Sequence, residues 1–126
     1  MTMKKIALIT FILSTFVNSY SFAQESVPKD VLLNTLNGIN KLKLSNLKTS
    51  QLMEYNEGFV DRVYSIIDSD KSSKDKKSAF KVLNTDTEKD LIDLLGKKNY
   101  KKYKKLMDEN LKPLVKKSKE LKHLYN

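Results

Sequence analysis

The stretch DLIDLLGKKNYKKYKKLM, from Asp90 to Met107, decides how this chain folds. An apolar run (Leu91, Ile92, Leu94, Leu95) meets Gly96, and a segment dense in lysine and bearing two tyrosines follows at once. A glycine at that point suits the left-handed αL residue that closes a helix. Lys97 and Lys98 then fall near the negative end of that helix, where cations are favoured. Tyr100, Tyr103 and Met107 recur three and four apart, the spacing of one helical face. The stretch therefore predicts a hinge between two helices that pack on each other, with positive charge concentrated just beyond it.

Downstream, Leu111, Leu114 and Leu121 continue the face begun by Tyr100. Pro113 removes a backbone donor and crowds the preceding turn, which predicts a kink near Asn110. Upstream, Ala79, Phe80, Leu83, Thr87, Leu91 and Leu94 keep helical spacing up to Leu95. The run Asn84 to Thr87 weakens that helix, and Thr85 with Glu88 offers an internal capping box. Before it, Ser69 to Lys77 is polar and charged, a loop or a frayed helix start.

Further upstream, Ser45 is an N-cap, with Lys48 at the position where a capping box carries Glu or Gln. From there Leu52, Tyr55, Phe59, Val63 and Ile66 repeat at three and four, with Met53, Val60, Tyr64 and Ile67 on the adjoining stripe. This predicts a long helix over Asn46 to Asp68, in which Gly58 costs about 1 kcal/mol relative to Ala and marks a close backbone contact or a bend. A first short helix starts near Pro28, turns Val31, Leu32, Leu36 and Ile39 inward, and stops at Asn37-Gly38. A linker over Asn40 to Leu44 alternates Lys with Leu. No stretch alternates with period two, so the fold class is all-α, with four helices.

The first 23 residues are read as a leader. Lys4 and Lys5 form a basic start, Ile6 to Val17 is an apolar run of 12 residues, and Ser21-Phe22-Ala23 is a cleavage signal before Gln24. Twelve residues do not span a bilayer core of about 30 Å. No cysteine follows, so there is no lipid-anchor site and, with none anywhere in the chain, no disulfide or thiolate chemistry. The expected location is the periplasm. Residues 24–126 form one small domain of 103 residues. Without Lys4 and Lys5, 22 of the 24 Lys and Arg remain against 15 Asp and Glu, a net charge of +7. Such a field attracts anionic partners. Export argues against nucleic acid and leaves unfolded or acidic polypeptide, lipopolysaccharide and anionic lipid headgroups.

Little in the sequence points to catalysis, and the chain reads as a non-enzyme with no cofactor and no metal. The single histidine, His123, is read as a solvated tail residue, because no second ligand or base partner accompanies it. Glu54, Glu57, Asp61 and Asp68 lie at helical spacings without the Glu-x-x-His pair of a di-metal bundle site. They read as a solvated face able to pair with lysines elsewhere. The largest charge feature is Lys97, Lys98, Lys101, Lys102, Lys104 and Lys105, interleaved with Tyr100 and Tyr103. It is either a solvated outer face or, together with Tyr103, a cationic surface whose long lysine stems also bury apolar area. The direction of that face decides between the two.

These features together resemble the Spy/CpxP-like family of periplasmic helical proteins, marked by two LTxxQ motifs. Leu44-Ser45-Asn46-Leu47-Lys48 stands at the first, with Ser for Thr and Lys for Gln. Leu95-Gly96-Lys97-Lys98-Asn99 stands at the second, with Gly for Thr and Asn for Gln, followed by Tyr100-Lys101-Lys102-Tyr103 as the family's Q-Y-x-x-Y continuation. The resemblance covers Lys41 to Leu111. It implies a four-helix protomer, a homodimer forming a curved antiparallel cradle with a basic concave face, and motif residues that shape the hinges. It also implies either ATP-independent chaperoning of unfolded envelope proteins or inhibition of one envelope-stress sensor. The metal-binding relatives use histidines that this chain lacks.

Overall fold

The computed structural model describes residues 27–124. The leader expected over 1–23 lies outside those residues. Among the described residues four α-helices follow one another: α1 (Lys29–Leu36), α2 (Asn46–Ile67), α3 (Ser73–Leu95) and α4 (Lys97–Lys117). A 3-10 turn, Asn40–Leu42, joins α1 to α2, and a second, Glu120–Leu124, closes the described chain.

The helices form a ring in which α1 packs on α2, α2 on α3, α3 on α4 and α4 back on α1. Each turns one apolar stripe inward: Leu32 and Leu36 from α1; Leu52, Phe59 and Val63 from α2; Phe80, Leu83, Leu91 and Leu95 from α3; Tyr103, Met107, Leu111 and Leu114 from α4. Burial of this apolar area is the main force holding the ring together. Val31, expected on the inner face of α1, instead lies exposed at its edge.

Local chemistry sets the helix starts. The Ser45 hydroxyl accepts a hydrogen bond from the Lys48 amide at 3.1 Å, which begins α2 where the sequence predicts. Ser72 does the same for the Asp75 amide, so α3 starts inside the polar stretch 69–77, which is a helix start rather than a loop from Ser73 on. The helix then runs unbroken through Asn84 to Thr87. Thr85 does not cap there, because its hydroxyl donates to the Lys81 carbonyl one turn back at 3.1 Å. Leu83 and Leu91, buried on either side, supply the packing that overrides the weak propensity of those residues. In α4 the helix likewise continues past Pro113 to Lys117, with Leu111 and Leu114 buried around it.

The α3–α4 junction is tighter than expected. Gly96 alone closes α3 and opens α4, and its backbone has φ 83° and ψ 156°. That is not the αL conformation but a region open essentially to glycine alone. Lys97 and Lys98 consequently form the first turn of α4 rather than a tail on α3. At Gly58 nothing lies within 4 Å of where a Cβ would sit, so of the two readings the close backbone contact falls away.

Candidate functional site

The two motif-like stretches meet in space. Lys48, in the first turn of α2, donates its ammonium to the Leu94 carbonyl at 2.8 Å, one residue before Leu95-Gly96. Around this contact Leu44 and Asn99 are half-buried, Leu95 is buried, and Ser45 and Gly96 are exposed. The role the sequence gives to Lys97 and Lys98, a cation at the C-terminus of α3, is thus filled by Lys48. At the other end of the same helix pair, Lys76 from the first turn of α3 donates to the Ile67 carbonyl at 2.6 Å. Each of the two antiparallel helices closes the other's C-terminus with a lysine.

On α4, Lys97, Lys98, Lys101, Lys102 and Lys105 are exposed; Lys97 stands on the flank, and the other four lie opposite the stripe of Tyr103, Met107 and Leu111. They point out of the protomer, so for one protomer by itself they are the solvated outer face of the two readings, open only to a partner arriving from solvent, and no acidic residue interrupts them before Asp108. Lys104 stands apart at the edge of the α3–α4 groove, and Tyr100, half-buried, lines that groove. Tyr103 does not belong to the surface. It is 5% exposed, and burial pushes its phenol far above the ordinary tyrosine range.

Tyr103 is held by a residue that the periodicity hid. Asn56 is 2% exposed in the middle of α2. Its amide donates to the Leu36 carbonyl at 3.3 Å and to Asn37 Oδ1 at 2.9 Å, while its Oδ1 accepts from the Tyr103 hydroxyl at 3.3 Å. One buried amide therefore ties the end of α1, the middle of α2 and the start of α4. The spacing Leu52-Asn56-Phe59-Val63 carried the signal, since it places Asn56 on the inner stripe.

A second polar cluster lies on the outer side of α2 and α3. The Tyr55 hydroxyl donates to Asp90 Oδ2 at 2.8 Å and accepts from Arg62, the chain's single arginine, at 3.2 Å. The Arg62 guanidinium also sits 5.8 Å from the Tyr55 ring centroid. Partial burial, reinforced by Asp90, holds the Tyr55 phenol above its ordinary value. Nearby, Asp61 pairs with Lys29 at 2.9 Å, while Glu54 and Glu57 stay exposed.

His123 is a further correction: it is not a solvated tail residue. The closing turn folds back so that its ring lies 5.7 Å from that of Phe80, tilted by 31°. Its carbonyl accepts from the Asn84 amide at 2.8 Å, and Leu121 is buried beside it. The turn packs against both α3 and α4. Between this turn and Gly96 lies a groove of about 370 Å³, with Leu36 and Phe59 at its base.

Among the described residues, no three His, Cys, Asp or Glu side chains converge on a site for a metal ion. Among the same residues, no helix is long and apolar enough to cross a membrane. No known family profile, curated protein or solved structure matches the chain significantly.

Proposed function

We propose that this chain is an exported binding protein that holds unfolded or acidic polypeptide on the outer basic face of α4, without ATP and without a cofactor. The observation that carries this reading is the array Lys97, Lys98, Lys101, Lys102 and Lys105, exposed on the outside of a helix whose inner face is anchored in the core. A fixed comb of ammonium groups attracts acidic segments over a distance of about a Debye length, and the methylene stems add apolar contact once a chain arrives. Such contacts read no sequence, which suits a protein that must hold many clients. The resemblance to the Spy/CpxP-like family supports the same reading, through the stretches at Leu44–Lys48 and Leu95–Asn99.

The test is aggregation of a chemically unfolded substrate with the chain from Gln24 present at stoichiometric amounts. Suppression at low salt that weakens at high salt, and that weakens when the five lysines are replaced by Gln, is the expected result. No suppression at a stoichiometric ratio refutes the reading. Capture of one dominant folded envelope protein from a periplasmic extract, with no suppression, points instead to a regulatory module that binds a single acidic partner.

A further inference from the structure

The α3–α4 groove has a construction that the lysine comb does not explain. The two helices leave Gly96 together, and farther along both pack against the closing turn Glu120–Leu124. Leu121 is buried at 1% exposure there, and the Asn84–His123 hydrogen bond fastens the turn to α3. The turn borders the groove and contributes Leu124 to its lining. At about 370 Å³ the space lies in the size range of binding cavities. Its base is apolar and deep, reaching Phe59 on α2 and Leu36 on α1, both buried core residues.

The rim selects the class of occupant. One wall carries Lys81 and Glu88, and the other carries Lys104 and Asp108. Each wall presents one charge of each sign, so the rim is neutral in a chain that is otherwise strongly basic. A ligand with a single anionic head would answer a lysine but not the carboxylate on the same wall, so a lone charge is not what this rim complements. A peptide backbone, with donors and acceptors alternating along its length, matches a rim that offers both, and its side chains find the apolar base. We infer that this groove receives an extended, uncharged, apolar stretch of a client polypeptide. The inference rests on the holding function proposed above and adds to it a second contact that does not depend on charge.

The experiment is fluorescence anisotropy of a labelled, uncharged peptide alternating Leu or Val with Ser, titrated with the chain from Gln24. Saturable binding that does not weaken at high salt is expected, in contrast to the salt-sensitive holding by the lysine comb. Thr85 is exposed on the α3 wall, so Thr85→Trp fills the mouth while leaving the core untouched. It should weaken peptide binding at least about tenfold while the helical circular dichroism stays unchanged. A photo-reactive version of the peptide should cross-link to residues of α3 and α4 that line the groove, a readout independent of any variant. No binding of the uncharged peptide, full binding by a folded Thr85→Trp variant, or cross-links confined to the outer α4 face would each overturn the inference. Binding of a long-chain fatty acid in place of the peptide would overturn it too. In all these cases salt-sensitive suppression of aggregation could persist, so the comb reading stands or falls separately.

Discussion

Lys48 and Leu94 are 46 residues apart in the chain, yet the Lys48 ammonium donates to the Leu94 carbonyl at 2.8 Å. Lys76 repeats the arrangement at the opposite end of the α2–α3 pair, on the Ile67 carbonyl. The last carbonyls of a helix lack intrahelical partners and sit at its negative end, so a lysine there supplies both a donor and a charge. Lys48→Met should destabilise the fold by about 1 kcal/mol, since the site is exposed, and Lys76→Met by somewhat more, since that lysine is half-buried. The two sites share no partner, so the double variant should show the sum of the single losses in urea unfolding. The Lys48 loss should also shrink in high salt. A Lys48→Met variant as stable as the parent at low salt would show that the contact contributes nothing.

Gly96 is the strictest position among the described residues. With φ 83° and ψ 156° it lies outside the αL region that Asn tolerates, although a Cβ there would meet nothing within 4 Å. The penalty is therefore backbone strain, not collision. Gly96→Ala and Gly96→Asn should both lower stability, by about 1–3 kcal/mol, and Asn should offer no advantage over Ala. An Asn variant clearly more stable than the Ala variant would point to a shift of the junction into αL geometry.

Much of this fold is legible in the sequence because helical spacing of apolar residues reports directly on burial. The stripe Tyr103, Met107, Leu111 and Leu114 is an example, and so is the Ser45 cap, whose geometry is local. Three features were not legible, each because it depends on a neighbour distant in sequence. Lys48 reads as an imperfect capping-box residue until α3 ends beside it. The apolar spacing passes over Asn56, whose place inside follows only when the Leu36 carbonyl and the Tyr103 hydroxyl arrive to satisfy it. His123 reads as a tail until the closing turn lays it on Phe80. The groove was hidden for the same reason, since its lining is drawn from all four helices and the closing turn. The lysine comb was visible as composition, and only the packing of α4 gives it a direction.

Gly58 offers the opposite test from Gly96. It sits within α2, its φ is ordinary, and nothing lies within 4 Å of a Cβ placed there. Ala restricts the unfolded chain and favours the helix, so Gly58→Ala should raise stability by about 1 kcal/mol. Thermal unfolding followed by circular dichroism measures this directly. A loss of stability would mean that the Tyr55–Arg62 cluster packs more tightly on the helix than the open space at Gly58 indicates.

Tyr103 gives the fold a pH dependence that can be isolated by one substitution. Its hydroxyl donates to Asn56 Oδ1 in the centre of the bundle, and burial raises its pKa well above that of an exposed tyrosine. The folded state therefore holds the phenolic proton more tightly than the unfolded chain does. Its contribution is fully present below the unfolded value of about 10 and is lost as pH rises above that value. Tyr103→Phe removes the titrating group and leaves Asn56 Oδ1 without its partner, a loss of about 1–2 kcal/mol at neutral pH. Above pH 10 the parent should lose up to about 1.4 kcal/mol for each pH unit through this one group, while the variant does not. The stability gap between them, measured by urea unfolding from pH 8 to pH 11, should thus be constant up to about pH 9.5 and then narrow. Taking the difference between parent and variant cancels the titration of the lysines and of Tyr55, Tyr64 and Tyr100. Parallel curves across the whole range would show that Tyr103 does not ionise in the unfolded chain differently from the folded one, and would contradict its place in the core.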